Sequence, residues 1–137
     1  DLNRKKVNLV REMWELAGMR VDIMDPAHHD MVLAITSHIP HIIAYSIVGT
    51  VSNLEATLKK EVIKYAASGF KDFTRIAASD PTMWRDILLL NKSSILKMLS
   101  IFKKDLATLE KAITKADGDF MHELFSKTRK IRKDVIK

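Results

Sequence analysis

The sequence predicts an all-α domain, and three observations lead to that prediction. Apolar residues recur every three to four positions over most of the 137 residues, which is the spacing of one helix face. The pairs Asp25–Pro26 and Asp80–Pro81 are helix-start signals, because the carboxylate caps free amides and proline is pre-set for the first turn. No series of alternating segments could build a sheet. With 47% apolar residues, 29% charged residues and no cysteine, we expect one domain over residues 1–137 without disulfides.

The first half of the chain predicts two helices. Apolar spacing places the first over residues 7–16, and Gly18 is its natural stop. Residues 19–24 alternate loosely, so we expect a short extended link, too small to make a sheet alone. The second helix begins at Pro26 and is expected to be bent or briefly broken at Pro40. Its apolar surface is nearly continuous, which predicts a position at the centre of the fold.

The same region raises the question of a membrane span, because no residue between Asp30 and Glu55 carries a formal charge. The interval holds polar residues that would be costly against lipid, among them Thr36, Ser37 and His38. We therefore predict a buried central helix and no membrane. The opening residues DLNRKK precede no apolar run with a cleavage site, so no signal peptide is expected. The start resembles a cut inside a longer protein.

The second half predicts longer helices. One covers residues 54–66, with Ser68 and Gly69 ending its pattern. Residues 81–115 then read as an uninterrupted helix of about 35 residues, or roughly 50 Å. So long and apolar a helix is hard to cover from within one chain, which favours a homodimer with crossing helices over a monomeric bundle. Residues 117–119 are expected to form a turn before a last helix.

The net charge of +6 is concentrated in that last helix. Between Ser126 and Lys137, six basic residues stand against Asp134 alone, a local balance of +5: Lys127, Arg129, Lys130, Arg132, Lys133 and Lys137. A solvated terminal face explains the run. A nucleic-acid patch would need interleaved aromatic residues or a recognised motif, so no nucleic acid is expected.

Ser37, His38, Pro40 and His41 form the first candidate constellation. The two histidines are three apart and can share a helix face, but no carboxylate or third histidine lies at ligand spacing, so no metal is predicted. The structural interpretation is that these side chains satisfy carbonyl groups near the proline. The functional interpretation is that the break turns donors toward a pocket.

Asp72, Arg75 and Trp84 form the second constellation. Asp72 and Arg75 are close enough on a short helix for the carboxylate to orient the guanidinium, whose planar fork suits a substrate carboxylate. Trp84 can supply an apolar wall with a donor at its edge. The residues alone leave two interpretations open: an anion-binding site, or a structural salt bridge with a core tryptophan.

Four motifs carry a family resemblance over essentially the whole chain. They are MDPAHHD from Met24, SHIPH from Ser37, GFKDFTRIA from Gly69 and SDPTMWRD from Ser79. In this order and spacing the sequence resembles the C-terminal helical domain of prephenate dehydrogenases and of the related arogenate and cyclohexadienyl dehydrogenases. The resemblance implies the helical dimerisation domain, with a long central helix, of a 6-phosphogluconate-dehydrogenase-like enzyme.

The resemblance also implies a function for the complete protein. It would be a cytoplasmic oxidoreductase of tyrosine biosynthesis, an aromatic amino acid pathway, that oxidatively decarboxylates prephenate or arogenate with NAD or NADP. The catalytic histidine and the nucleotide site would lie on an N-terminal domain, because this chain has no G-x-G-x-x-G. We therefore expect no catalytic residue and no dehydrogenase activity in this chain alone. Tyrosine is an expected inhibitor, since the product resembles the substrate.

By the same resemblance, five residues bind the substrate. Arg75 would anchor a carboxylate, His41 would hydrogen-bond the substrate, Ser37 and Trp84 would line the pocket, and Asp72 would belong to the ionic network around Arg75. Some relatives have a glycine run where this chain has residues 67 and 68 ahead of Gly69, which leaves the substrate preference open. The rival interpretation is a non-catalytic helical dimerisation module whose basic tail binds an acidic partner.

Overall fold

The structure, a computed structural model, describes residues 3–135, and these residues contain helices and no strand. The all-α prediction is confirmed. Lys137 of the basic run and the first two residues lie outside the described part. The elements, in chain order, are α1 Arg4–Leu16, α2 Pro26–Leu33, a π-helical segment Ala34–His38, α3 Ile39–Ser52, α4 Ala56–Tyr65, α5 Ser68–Thr74, a 3-10 segment Arg75–Ala78, α6 Pro81–Leu90, α7 Lys92–Thr114 and α8 Gly118–Val135.

Side-chain caps set the helix starts that the sequence predicts. The Asp25 carboxylate accepts hydrogen bonds from the backbone N–H groups of Ala27 at 2.9 Å and His28 at 3.2 Å. Asp80 accepts from the N–H of Met83 at 2.7 Å. Each cap satisfies amides that a helix start leaves without partners. Gly18, with a φ of +83°, follows the end of α1, a conformation that glycine adopts without steric cost.

The second predicted helix is continuous over Pro26–Ser52, named here the central helix, and its irregularity precedes Pro40. The expected break at Pro40 is therefore wrong in position. The N–H of Ile39 bonds the carbonyl of Ala34 five residues back, which is the wider π turn. Proline has no N–H and its ring crowds the carbonyl four residues earlier, so a wider turn just before it relieves both problems.

The predicted uninterrupted helix over residues 81–115 is also wrong, because Asn91 divides it into α6 and α7. Asn91 has φ −100° and ψ 29°, outside the helical range, and it is buried. Its side chain bonds the central helix, and that tertiary contact overrides local helix propensity. Two smaller boundaries differ as well: Ser68 and Gly69 lie inside α5, and α8 already begins at Gly118.

The central helix lies in the middle of the fold, as predicted, with α5, the 3-10 segment and α7 packed against it. Ala34, Ile39 and Ala44 are its buried apolar residues, and Ile95 of α7 is buried with them. By length and composition the central helix could cross a membrane, with a mean hydropathy of 1.6 and only 22% of the tested window buried. In its π segment Ala34 and His38 are buried and Ile35 and Thr36 are exposed. An open groove between α3 and α7 is lined from the central helix by Ile42, Ile43 and Ile47.

The described chain leaves much apolar surface uncovered. The accessible surface is 11546 Å², whereas a compact monomer of this mass exposes about 7,200 Å². The α1 helix has no buried residue. Leu106 of α7 is 53% exposed and lies between two apolar grooves, one against α3 and one against α8. The folded chain therefore has surfaces suited to a partner.

Candidate functional site

The candidate site is built on a stacked pair from two elements. The imidazole of His41, in the first turn of α3, lies over the indole of Trp84 in α6, with ring centroids 3.5 Å apart and planes 22° apart. Trp84 is 7% exposed, and its Nε1 atom is buried without a hydrogen-bond partner in the described structure. A buried indole N–H is normally paired. We call this stacked pair the wall of the candidate site. It combines an apolar face with one donor, Nε1 of Trp84, that has no partner in the described structure.

His41 is fixed by the π segment that precedes it. Its Nδ1 atom lies 2.9 Å from the backbone oxygen of Ser37. A carbonyl oxygen only accepts hydrogen bonds, so Nδ1 carries the proton and donates. In the neutral ring, Nε2 then has a free lone pair and can accept a hydrogen bond from a ligand. Half-buried Ser37 thus supports the site through its backbone.

His38 meets the same indole from another side. Its ring lies edge-on to Trp84, with centroids 6.1 Å apart and planes 79° apart. The amide nitrogen of Asn91 lies 3.3 Å from Nδ1 of His38 and 2.7 Å from the backbone oxygen of Asp30. The helix break at Asn91, the π segment and the tryptophan are therefore joined in one buried polar cluster.

The environment of His38 favours its neutral form. Burial lowers the pKa of His38 below the ordinary value of 6.5, because desolvation disfavours the charged ring. The carboxylate of Asp30 acts in the opposite direction, while the neighbouring imidazoles of His41 and His29 add to the lowering. Near neutral pH His38 is an uncharged member of the cluster.

Asp72 and Arg75 do not form the ion pair that their spacing predicts. Both side chains are exposed, and the described structure has no ion pair between them. The physical reason is their exposure, because a fully hydrated pair of long side chains gains little from an ion pair and loses side-chain entropy when it forms. The guanidinium of Arg75 remains available.

The loop that carries Arg75 is nevertheless held against the central helix. The 3-10 segment packs on α3. The hydroxyl of Tyr45 in α3 donates to the backbone oxygen of Ser79 at 2.8 Å. Of the five site residues suggested by the sequence, the structure brings His41 and Trp84 into contact and ties Ser37 to them. Asp72 and Arg75 remain on the surface of the adjoining segment.

Sequence reasoning missed Asn91 and undervalued His38. An asparagine inside a long apolar helical pattern is a detectable signal, because its amide competes with the helix and needs partners when buried. For His38 the sequence predicts no metal and leaves open a structural role near the proline and a place at a pocket. Within residues 3–135, no group of three His, Asp or Glu side chains comes together as a metal site.

The fold and the site define the class of the protein as an all-α domain with a histidine–tryptophan wall at a π turn and long, partly uncovered helices. Residues 25–127 match the family model described as prephenate dehydrogenase, dimerization domain. The chain belongs to the prephenate dehydrogenase family and contains that domain.

Individual relatives agree with the family. Over 123 residues the chain is 43% identical to the cyclohexadienyl dehydrogenase of Zymomonas mobilis, covering 90% of this chain and 42% of the relative. The A. aeolicus prephenate dehydrogenase, solved in complex with hydroxyphenyl propionate and NAD+, superposes with a TM-score of 0.89 at 37% identity. That match covers 97% of this chain and 46% of the solved chain.

A more distant structure shares the fold. The Synechocystis arogenate dehydrogenase has a TM-score of 0.85 at 22% identity, over 96% of this chain and 48% of that chain. The chain thus spans less than half the length of these relatives.

Proposed function

We propose that the complete protein is a cytoplasmic dehydrogenase that oxidatively decarboxylates prephenate or arogenate with NAD or NADP, for tyrosine biosynthesis. This chain supplies one wall of the substrate pocket and the dimer contacts. The observation that carries the proposal is the His41–Trp84 stack, in which two motif residues form a wall and Nε2 of His41 is left as an acceptor for a ligand.

The side chains suit a ring substrate that carries carboxylate and hydroxyl groups. Arg75 has no ion pair in the described structure, and its planar fork can bind a carboxylate through two hydrogen bonds. His41 can accept at Nε2 a hydrogen bond from a substrate hydroxyl, whereas Nε1 of Trp84 is buried in the described structure and is not assigned a ligand contact. In this proposal Asp72 is a nearby carboxylate that adjusts the charge around Arg75.

This chain does not itself fit a dinucleotide. Its four glycines form no G-x-G-x-x-G sequence, and residues 3–135 contain no strand from which a phosphate-binding loop could start. We therefore assign the nucleotide and the catalytic histidine to the rest of the protein. Hydride transfer and loss of carbon dioxide are chemistry of that complete active site.

We further propose a homodimer in which a second copy covers part of the exposed apolar surface. The described chain exposes roughly 4,300 Å² more than a compact monomer of its mass. Obligate dimers bury about 2,000–5,000 Å² in total, or about 1,000–2,500 Å² on each protomer, so a second copy would cover part of the excess and leave the rest for a further domain.

Arg75 provides the test. In the full-length protein, NAD or NADP reduction is measured with prephenate and separately with arogenate. Arg75→Ala should raise the Michaelis constant by about a hundredfold, as expected when a charged hydrogen-bonded pair of about 3 kcal/mol is lost. Arg85→Ala is the matched control, because Arg85 is exposed and its Nε pairs with Asp86 at 2.8 Å.

Two results would contradict the proposal. Absence of activity with both substrates, in a folded protein, would favour the alternative of a dimerisation module whose basic α8 binds an acidic partner. Equal Michaelis constants for Arg75→Ala and wild type would remove Arg75 from the site. Adding tyrosine to the same assay tests inhibition, and we expect competition with the substrate.

A further inference from the structure

We propose that Asn91 is a positioning residue of the candidate site: it holds His38 as the tautomer protonated on Nε2 and, through His38, fixes the indole of Trp84. The tautomer part of this inference stands on geometry alone. Its consequence for substrate binding rests on the function proposed above. Asn91 itself is placed behind the wall and is not assigned a contact with substrate.

The orientation of the Asn91 amide follows from its partner on the central helix. The group 2.7 Å from the backbone oxygen of Asp30 must be a donor, because that oxygen only accepts. This requirement places the NH₂ group, and not the amide oxygen, toward the central helix. The same nitrogen lies 3.3 Å from Nδ1 of His38.

The orientation of the amide then decides the proton on His38. Since the NH₂ group has a second hydrogen to donate, Nδ1 of His38 is the acceptor and carries no proton. A neutral imidazole has one N–H, so the proton is on Nε2. A second proton on Nδ1 would point at the NH₂ group and lose this bond.

The two histidines therefore have opposite tautomers. His41 donates from Nδ1 to Ser37 and leaves Nε2 as an acceptor, whereas His38 accepts at Nδ1 and leaves Nε2–H as a donor. Both rings contact Trp84, one face-on and one edge-on. Fixing both tautomers gives the wall one defined pattern of donors and acceptors.

The position of Asn91 in the fold supports a dedicated role. It is 8% exposed and it interrupts a helix that the sequence would otherwise continue from α6 into α7. A buried asparagine that breaks a helix is costly unless its amide is satisfied. Its amide reaches the central helix at Asp30 in α2, about one turn before the π segment, and at His38, where that segment ends, so one side chain spans the irregular turn.

The groups that act on His38 come from its own helix, from α6 and from the junction after α6. Its own helix contributes Asp30, His29 and His41 as titratable groups. The contacts from α6 and from the junction after it are Trp84 and Asn91, which carry no charge. In the described structure the group at Nδ1 of His38 is the donating amide of Asn91. Replacing that amide with a carboxylate therefore puts an acceptor where the donor was.

The experiment is a long-range ¹H–¹⁵N correlation spectrum of the full-length protein labelled at histidine, recorded at about pH 8, where His38 is neutral. The His38 signal is assigned by its loss in His38→Gln. We expect wild-type His38 to be protonated on Nε2. In Asn91→Asp the proton should move to Nδ1, because a carboxylate only accepts. Asn53→Asp, at the exposed end of α3, should leave the tautomer unchanged.

Kinetics of the same variants test the positioning role. We expect Asn91→Asp to raise the Michaelis constant for prephenate about tenfold, as expected for the loss of one oriented hydrogen bond. The Michaelis constant for the nucleotide should stay unchanged. Wild-type His38 protonated on Nδ1 would overturn the proposal, even if Asn91→Asp fails to fold. An altered tautomer with an unchanged Michaelis constant would overturn the positioning role. An inactive wild type contradicts the proposed function, while the spectrum still decides the link from Asn91 to His38.

Discussion

His41 and Trp84 stack with their ring centroids 3.5 Å apart, and this contact joins the central helix to α6. The two residues come from separate sequence motifs, SHIPH and SDPTMWRD. Each motif also contains or adjoins a local structural feature that positions its residue: the π turn precedes His41, and the Asp80 cap precedes Trp84. The stack is therefore both a packing contact and the wall of the candidate site.

Truncating Trp84 should destabilise the fold strongly. Trp84→Ala removes a 7% exposed indole that touches two histidines, and we expect a loss of about 3–5 kcal/mol in the free energy of unfolding. Tyr65→Ala is the control, because Tyr65 is 71% exposed and such surface changes stay within about 0.5 kcal/mol. Urea unfolding followed by circular dichroism measures both. Equal losses would mean that the stack does not anchor α6.

Removing the Asp25 cap should cost about 1 kcal/mol. Asp25→Ala leaves the N–H groups of Ala27 and His28 without their acceptor. Asp22→Ala serves as the control, since Asp22 is exposed and lies 3.9 Å from Arg20, a distance at which a surface pair contributes little. Thermal or urea unfolding gives the comparison. A loss in Asp22→Ala as large as that in Asp25→Ala would contradict a specific cap.

His38 should make stability depend on pH in a defined direction. Because burial lowers its pKa in the folded state, the unfolded chain binds the proton more readily. The stabilisation is fully present above the unfolded value of 6.5 and is lost as pH falls through the lower folded pKa. One such group contributes a slope of at most about 1.4 kcal/mol per pH unit.

His38→Gln is the variant that isolates this dependence. Its unfolding free energy, measured in urea between about pH 5 and 8, should fall less steeply on acidification than that of wild type. The difference between the two curves removes the contribution of the other histidines. Parallel curves would show that His38 titrates alike in the folded and unfolded chains.

The elements that local chemistry determines were predicted correctly from the sequence. Asp25 and Asp80 are followed by proline, and both begin helices as expected. The errors arise where residues distant in sequence determine the local conformation. Asn91 ends α6 because its side chain bonds Asp30 and His38, and a local sequence pattern does not contain those partners. Arg75 and Asp72 show the same limit for the site. Their spacing permits an ion pair, but both side chains are exposed, so hydration and side-chain entropy oppose it.

The apolar surface of α7 should be part of the dimer interface. Leu106 is 53% exposed between two grooves of about 420 and 500 Å³ that α7 forms with α3 and with α8. A carboxylate there would have to be desolvated against a second copy, so Leu106→Asp should dissociate the full-length dimer while leaving its helix content intact.

Ser100→Asp is the matched control for this prediction, because it adds the same charge at an exposed position of α7 that lines none of the grooves described. Light scattering coupled to size-exclusion chromatography gives the mass of each variant. We expect a monomer for Leu106→Asp and a dimer for Ser100→Asp and wild type. If Leu106→Asp remains a dimer with unchanged circular dichroism, the grooves beside Leu106 lie outside the interface, and another exposed apolar face, such as that of α1, must account for assembly.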